Sequence, residues 1–415
     1  MKRIGALTTV LLACACAPAI AQAAPHLERV VIVLRHGVRP PTKPADQIAG
    51  LADKPWPGDD VWGVKPAELT AHGAAEIRKL GKDLRKTYAD ERPGGAIIWA
   101  DGADQRTRET ARNLALGLSP GAPLAFGAVA DGTHDPLFSG PGADVCPLDP
   151  AAMQAAAKGM GPVMTRQTVD ALKDLQRIAA PNGCTGGGGP CLTGETTLTA
   201  TTKSLKISGP LSTGAAISEN LLLEYENSLP MDQVGWGRVS RADLDVVMAA
   251  HRRVSDIERA APMVASRRGG PMARFILDAL RNDAVAEAIG PKVKASDKMV
   301  VLAGHDTNLA NMGGVFGLDW SLPGQPDVTA PGTAMAFERW RGDDGKMFVK
   351  VRIFYTTPDQ VRTLSDTPPH EISVTPAACA GAKACGLETL EQAARARMAQ
   401  ACPQDAATTT TSSRP

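Results

Sequence analysis

Val30, Val31, Ile32, Val33 and Leu34 form an unbroken apolar run, mostly β-branched, that stops at Arg35. A strand with one wet face alternates apolar and polar residues, so a continuous run requires both faces to be covered. Two further segments have the same character. Ala96-Ile97-Ile98-Trp99-Ala100 ends at Asp101, and Met299-Val300-Val301-Leu302-Ala303 ends at Gly304-His305-Asp306. Between the first two, Ala74, Ile77, Leu80, Leu84 and Tyr88 recur at helical steps, which predicts a helix over 70–90. Another helix is predicted over 107–118. Strand, helix, strand, helix predicts an α/β fold: a central mixed, largely parallel sheet flanked by helices. Alternating segments at 333–340 and 347–355 are expected to add antiparallel strands at the sheet edge.

The middle of the chain reads differently. Helical patterns at 164–179, 214–227 and from 242 onward are joined by Gly- and Pro-rich links, and the last runs on toward Ala260. Residues 136–255 are therefore expected to form a mainly helical cap domain, inserted over the cleft between core segments 24–135 and 256–403. The stretch 404–415 has little to bury and is expected to be a disordered tail.

At the other end, Lys2 and Arg3 precede a largely apolar run that closes on Ala21-Gln22-Ala23. This reads as a secretory signal peptide spanning 1–23 and predicts a periplasmic or secreted protein. The alternative is a lipid anchor on Cys14, after Leu11-Leu12-Ala13. No other run reaches the ~18 apolar residues of a membrane span. Of 8 cysteines, Cys14 and Cys16 leave with the signal. Cys146, Cys184, Cys191, Cys379, Cys385 and Cys402 remain, an even set that suits disulfides in an oxidising compartment, with every pairing open on sequence alone. No CxxC spacing and no nearby His favour a metal site. Aromatic residues make up 4% and the formal charge is +1, which removes the electrostatic and stacking case for nucleic acid.

Ligands of open parallel sheets bind beyond the carboxyl ends of the strands. Those ends here carry Arg35-His36-Gly37-Val38-Arg39, Asp101 with Arg106 and Arg108 downstream, and His305-Asp306. So many guanidiniums and imidazoles at one opening require an anion, and phosphate matches the planar fork of arginine. A neutral imidazole is a competent nucleophile toward phosphorus, and a carboxylic acid can protonate the departing oxygen. His36 and Asp306 are the candidates for these roles. Gly37 is expected to let the backbone turn closely around a ligand. Val38 is expected to pack beneath the site, and Asp101 to organise the 104–108 segment. No cofactor or metal is needed by this scheme.

Arg35-His36-Gly37-Val38-Arg39-Pro40 with the later Gly304-His305-Asp306 resembles the histidine acid phosphatase family, within branch 2 of the histidine phosphatase superfamily. The likeness spans about 28–402 and lies nearest the bacterial periplasmic phytase and acid phosphatase branch, to which periplasmic glucose-1-phosphatase is related. It implies His36 as the phosphorylated nucleophile, Asp306 as the proton donor, and Arg35, Arg39, Arg106 and His305 as phosphate ligands. It further implies that Thr42, Lys43, Glu219, His251 and Thr307 line the substrate pocket. The same resemblance implies disulfides Cys146–Cys402, Cys184–Cys191 and Cys379–Cys385, and a monomer. It points to a phytase of the 4/6 type with an acidic optimum, acting on phytate or another sugar phosphate. Glucose-1-phosphatase and broad acid phosphatase are the near alternatives. A phosphoglycerate-mutase-like transferase shares the Arg-His-Gly element but not the signal segment, and a phosphate-ester binding protein would need the arginines without the His–Asp pair.

Overall fold

The computed structural model describes residues 24–89, 95–122, 124–284 and 289–402. The signal segment and the tail expected at 404–415 lie outside the described residues.

The central strands are β1 (His26–Arg35), β2 (Ala96–Ala100), β3 (Phe126–Ala128), β6 (Met299–Gly304), β7 (Ala334–Arg341), β8 (Met347–Tyr355), β9 (His370–Val374) and β10 (Cys385–Gly386), while β4 (Thr197–Ala200) and β5 (Leu205–Ser208) form a separate hairpin. Their spatial order is β10-β8-β7-β1-β6-β2-β3, with β9 also on β8. The strands β1, β6, β2 and β3 run parallel to one another, and the β7, β8, β9 and β10 additions pair antiparallel, β7 against β1.

The apolar run at 30–34 is fully buried because helices cover both faces. Val30, Ile32 and Leu34 pack with Ile77, Leu80, Leu84 and Leu114 from the helices Ala71–Thr87 and Gln105–Leu118. Val31 and Val33 point the other way, toward Met272, Ile276, Leu309 and Met312 of the helices Pro262–Arg281 and Asp306–Phe316. This alternation is the two-residue period of a strand buried on both sides. Register then fixes the site. Arg35 pairs with Gly304 and Ala100 with Ala303, so His36, His305 and Asp101 leave three adjacent strands at one level.

The helices Arg166–Ala179, Pro210–Glu226 and Arg241–Ser255 share a core of their own, including Leu172, Leu175, Ile217, Leu221, Val247 and Met248. Beyond Ser255 the chain continues through a single π-helical turn, Asp256–Ala260, before the Pro262–Arg281 helix. The predicted helical region also contains the β4–β5 hairpin, whose alternation is too short to stand out among Thr and Lys residues. Disulfides join Cys146–Cys402, Cys184–Cys191 and Cys379–Cys385.

Gly37 also approaches the Ala71–Thr87 helix closely: a Cβ on Gly37 would lie 2.7 Å from the Gly73 carbonyl, and one on Gly73 would lie 2.4 Å from the Val38 carbonyl. Two bare Cα positions thus let the Arg-His-Gly loop sit against the first turn of the helix, whose Thr70 cap accepts from the Gly73 N–H. Gly73→Ala should therefore lower unfolding free energy by about 1–3 kcal/mol, the usual cost of overpacking. Urea unfolding midpoints of the two proteins check this.

Candidate active site

His36 is 2% exposed, and its Nδ1–H donates to the carbonyl of Gly37 at 2.8 Å. That bond fixes the tautomer and leaves Nε2 with a bare lone pair. Burial, with Arg106, Arg39, Arg35 and His305 around it, pushes the imidazole well below its usual pKa. Both effects favour the neutral ring, the form in which an imidazole is a nucleophile. The His305 ring stands edge-on to it, with centroids 5.6 Å apart.

Each arginine around this imidazole holds an internal carboxylate. Arg35, fully buried, donates to Asp327 Oδ2 at 2.8 Å, to the Thr329 carbonyl at 2.6 Å and to Glu219 Oε1 at 3.0 Å. Burial works against its charge, but Asp306, Asp327, Glu219 and Glu226 outweigh that and raise its pKa. Arg39 donates to the same Glu219 oxygen at 3.1 Å and to the Pro40 carbonyl. Arg106 forks onto Asp104, at 2.7 and 3.0 Å, with Nη2 also 3.4 Å from His305 Nδ1. The other imidazole nitrogen of His305 meets Asp101 Oδ2 at 2.9 Å. Asp101 therefore orients a histidine as well as its own loop, where the Ala103 N–H donates to it.

Asp306 opens the Asp306–Phe316 helix beside this cluster. Its Oδ1 accepts from the Thr307 N–H at 2.7 Å and from the Thr307 hydroxyl at 3.3 Å, and its Oδ2 from Arg259. Burial opposes ionisation, yet Arg259, Arg35, His251 and Arg39 hold the carboxyl well below the usual range. Glu219 is brought to about 2: burial would raise it, but Arg39, His251 and Arg35 prevail. His251 is buried near both carboxylates, and its Nε2 has no hydrogen-bond partner among the described residues.

The remaining predicted residues separate into two places. Exposed Thr42 and Lys43 line a cleft of about 330 Å³ with Arg39, Ser212, Thr213 and Glu219. Thr307 stands beside the cluster, where its N–H and hydroxyl both donate to Asp306 Oδ1. Sequence reasoning passed over Arg259, Arg268, Asp104, Asp327 and Glu76. Arg259 and Arg268 both feel the charge of Asp306, but they come from a π-turn and from a helix interrupted by Pro271, where no strand-end pattern marks them. Glu76 had a readable signal, being a carboxylate on the apolar face of a predicted helix.

Glu76 lies beneath the loop and accepts from the Val38 N–H at 3.2 Å. Burial pushes it up to about 8 against the pull of Val38 and Arg35, and burial also raises Glu226 nearby. Because its folded value lies above the ordinary one, its contribution to stability is complete in acid and is lost as pH rises through about 8. Glu219 has the opposite sign, with stability lost as pH falls toward about 2. Melting temperature should decline from weakly acidic to mildly alkaline pH, and Glu76→Gln should flatten that decline by a few degrees. A series of thermal melts across pH checks this.

Comparison with known proteins gives concordant results. The family model described as histidine phosphatase superfamily (branch 2) matches residues 26–177 and 251–354. Phytase AppA of Escherichia coli (strain K12) is 32% identical over 409 residues, covering 90% of this chain and 92% of that protein. Glucose-1-phosphatase of Providencia rettgeri is 25% identical, over 84% of this chain and 86% of its own. Among solved structures, Hafnia alvei phytase in complex with myo-inositol hexakis sulphate superposes with a TM-score of 0.80 at 27% identity, covering 90% of this chain and 98% of that one.

Proposed function

Since this chain belongs to branch 2 of the histidine phosphatase superfamily and is a phosphatase, we propose that it is a phytase: a myo-inositol hexakisphosphate phosphohydrolase working through a phosphohistidine on His36. The observation that carries the mechanism is the hydrogen bond from His36 Nδ1–H to the Gly37 carbonyl. It leaves Nε2 as a lone pair amid Arg35, Arg39 and Arg106.

In the first step Nε2 of His36 attacks phosphorus, an N–P bond forms and the P–O bond to the ring breaks. The departing alkoxide takes a proton from Asp306. Arg35, Arg39, Arg106 and His305 hold the three equatorial oxygens through charge-assisted bonds. In the second step Asp306, now ionised, takes a proton from water. The hydroxide attacks phosphorus, phosphate leaves and His36 is restored.

Preference for phytate is supported by the cleft flanked by Thr42, Lys43 and Arg39, which offers cationic and hydroxyl contacts to further phosphates on a ring. It is supported also by greater identity to a phytase than to a glucose-1-phosphatase, and by the likeness to a phytase holding a hexasulfated inositol. First attack at the 4/6 side, action as a monomer and an acidic optimum belong to the same reading. The disulfides favour a compartment outside the cytoplasm. No helix among the described residues is long and apolar enough to cross a membrane.

Phosphate release from phytate should exceed that from glucose 1-phosphate; negligible turnover of phytate would end the substrate reading. His36→Ala should lose at least about 10³-fold in kcat. Asp306→Asn should lose about 10²–10⁴-fold on phytate, but much less on p-nitrophenyl phosphate, whose leaving group needs no proton. A loss of equal size on both substrates would remove Asp306 from the role of acid.

A further inference from the structure

We propose that Arg259 is the seat for the phosphate next to the scissile one on the substrate ring, and that this phosphate, by drawing Arg259 away from Asp306, releases the proton donor for use. The inference rests on Asp306 as acid and on a polyphosphorylated ring as substrate.

Arg259 belongs to the π-turn Asp256–Ala260, a geometry frequent at functional sites. The turn is pressed against the helix that carries Asp306. The Arg259 carbonyl accepts from Asn311 Nδ2 at 2.8 Å, and a Cβ on Gly314 would lie 2.4 Å from the Ala260 carbonyl. The backbone is thus fixed to the acid's own helix while the guanidinium remains accessible, 26% exposed against 13% for Asp306. One nitrogen, Nη1, donates to Asp306 Oδ2, and the other guanidinium N–H groups have no acceptor among the described residues. Open donors on a partly exposed cation are what an incoming phosphate needs.

The proton donor must lie at the leaving oxygen, and on a fully phosphorylated ring the adjacent carbons bear phosphates too. A guanidinium bonded to the donor is therefore within reach of the neighbouring phosphate. When the fork transfers from carboxylate to phosphate, Asp306 loses its nearest cation and faces a new anion. It then takes up one proton from solvent and delivers it to the alkoxide. Without this exchange the donor is held ionised. The groups facing Asp306 are Arg35 and Arg39 from the first strand and its loop, Glu219 and His251 from the Pro210–Glu226 and Arg241–Ser255 helices, Arg259, and Arg268 of the Pro262–Arg281 helix. Of the cations among them, Arg259 is the one that donates a hydrogen bond to the carboxylate. A monoester with no second phosphate leaves that bond in place.

The test is kcat/KM of Arg259→Gln on phytate and on p-nitrophenyl phosphate, between about pH 3 and 7. Phytate should lose at least about tenfold more than p-nitrophenyl phosphate, because only phytate forfeits a charged contact. The alkaline limb should also move to higher pH, since a carboxyl freed of its cation keeps its proton longer. Arg259→Lys, which retains the charge without the fork, should hold the limb near its wild-type position while still losing on phytate. It also serves should the glutamine variant fail to fold. Equal losses on both substrates with an unmoved limb would overturn the proposal and make Arg259 a packing residue. Wild-type protein that ignores phytate would instead sink the substrate reading, and this proposal with it.

Discussion

Arg35 ends a fully buried strand and has no exposure to water, so its charge must be matched inside the protein. Asp327 and the Thr329 carbonyl, both from the loop before the Ala334–Arg341 strand, and Glu219, from the Pro210–Glu226 helix, match it. Satisfying this one guanidinium draws the helical layer, through Glu219, onto the rim of the sheet. The same Glu219 oxygen also holds Arg39, which fixes the exit of the loop that presents His36. Asp104 does the equivalent for Arg106, and Asp306 for Arg259. The resting site is a set of cations already paired with the protein's own carboxylates. On the proposed reading phosphate enters by exchange, and its affinity is the difference between two sets of charge-assisted bonds.

Exchange has a consequence for acid chemistry. Burial among cations favours the neutral form of His36, which the proposed nucleophile needs. Those same cations favour the ionised form of Asp306, the reverse of what the proposed donor needs. Only a change in the charges at the site can reconcile the two, and the arriving phosphate is that change. Buried carboxyls beneath the loop, Glu76 and Glu226, sit on the other side of this balance, since they are comfortable only when protonated. These two carboxyls thus tilt stability toward acid.

Much of this was legible in the chain itself. Strands 30–34, 96–100 and 299–303 announce themselves by runs of apolar residues that only a doubly covered sheet can hold. Their polar ends then place Arg35, His36, Asp101, His305 and Asp306 together by topology alone. The helices Pro262–Arg281 and Leu387–Ala401 were not legible, the former because Gly269-Gly270-Pro271 interrupts its helical signal. Arg259 was hidden for a related reason: a π-turn has no composition of its own, and its direction depends on how two helices meet. The packing of Gly37 on Gly73 is not legible in the sequence, since the helix it touches is a tertiary neighbour.

The claim that most of this depends on is that an oxyanion displaces Glu219 to reach His36. A crystal structure of the protein with vanadate addresses it directly. The account predicts vanadium bonded to His36 Nε2, its equatorial oxygens on Arg35, Arg39 and Arg106, and the Glu219 carboxylate swung off both arginines. Vanadate bound elsewhere, with the Arg35–Glu219 pair intact and Nε2 of His36 unmodified, would contradict it.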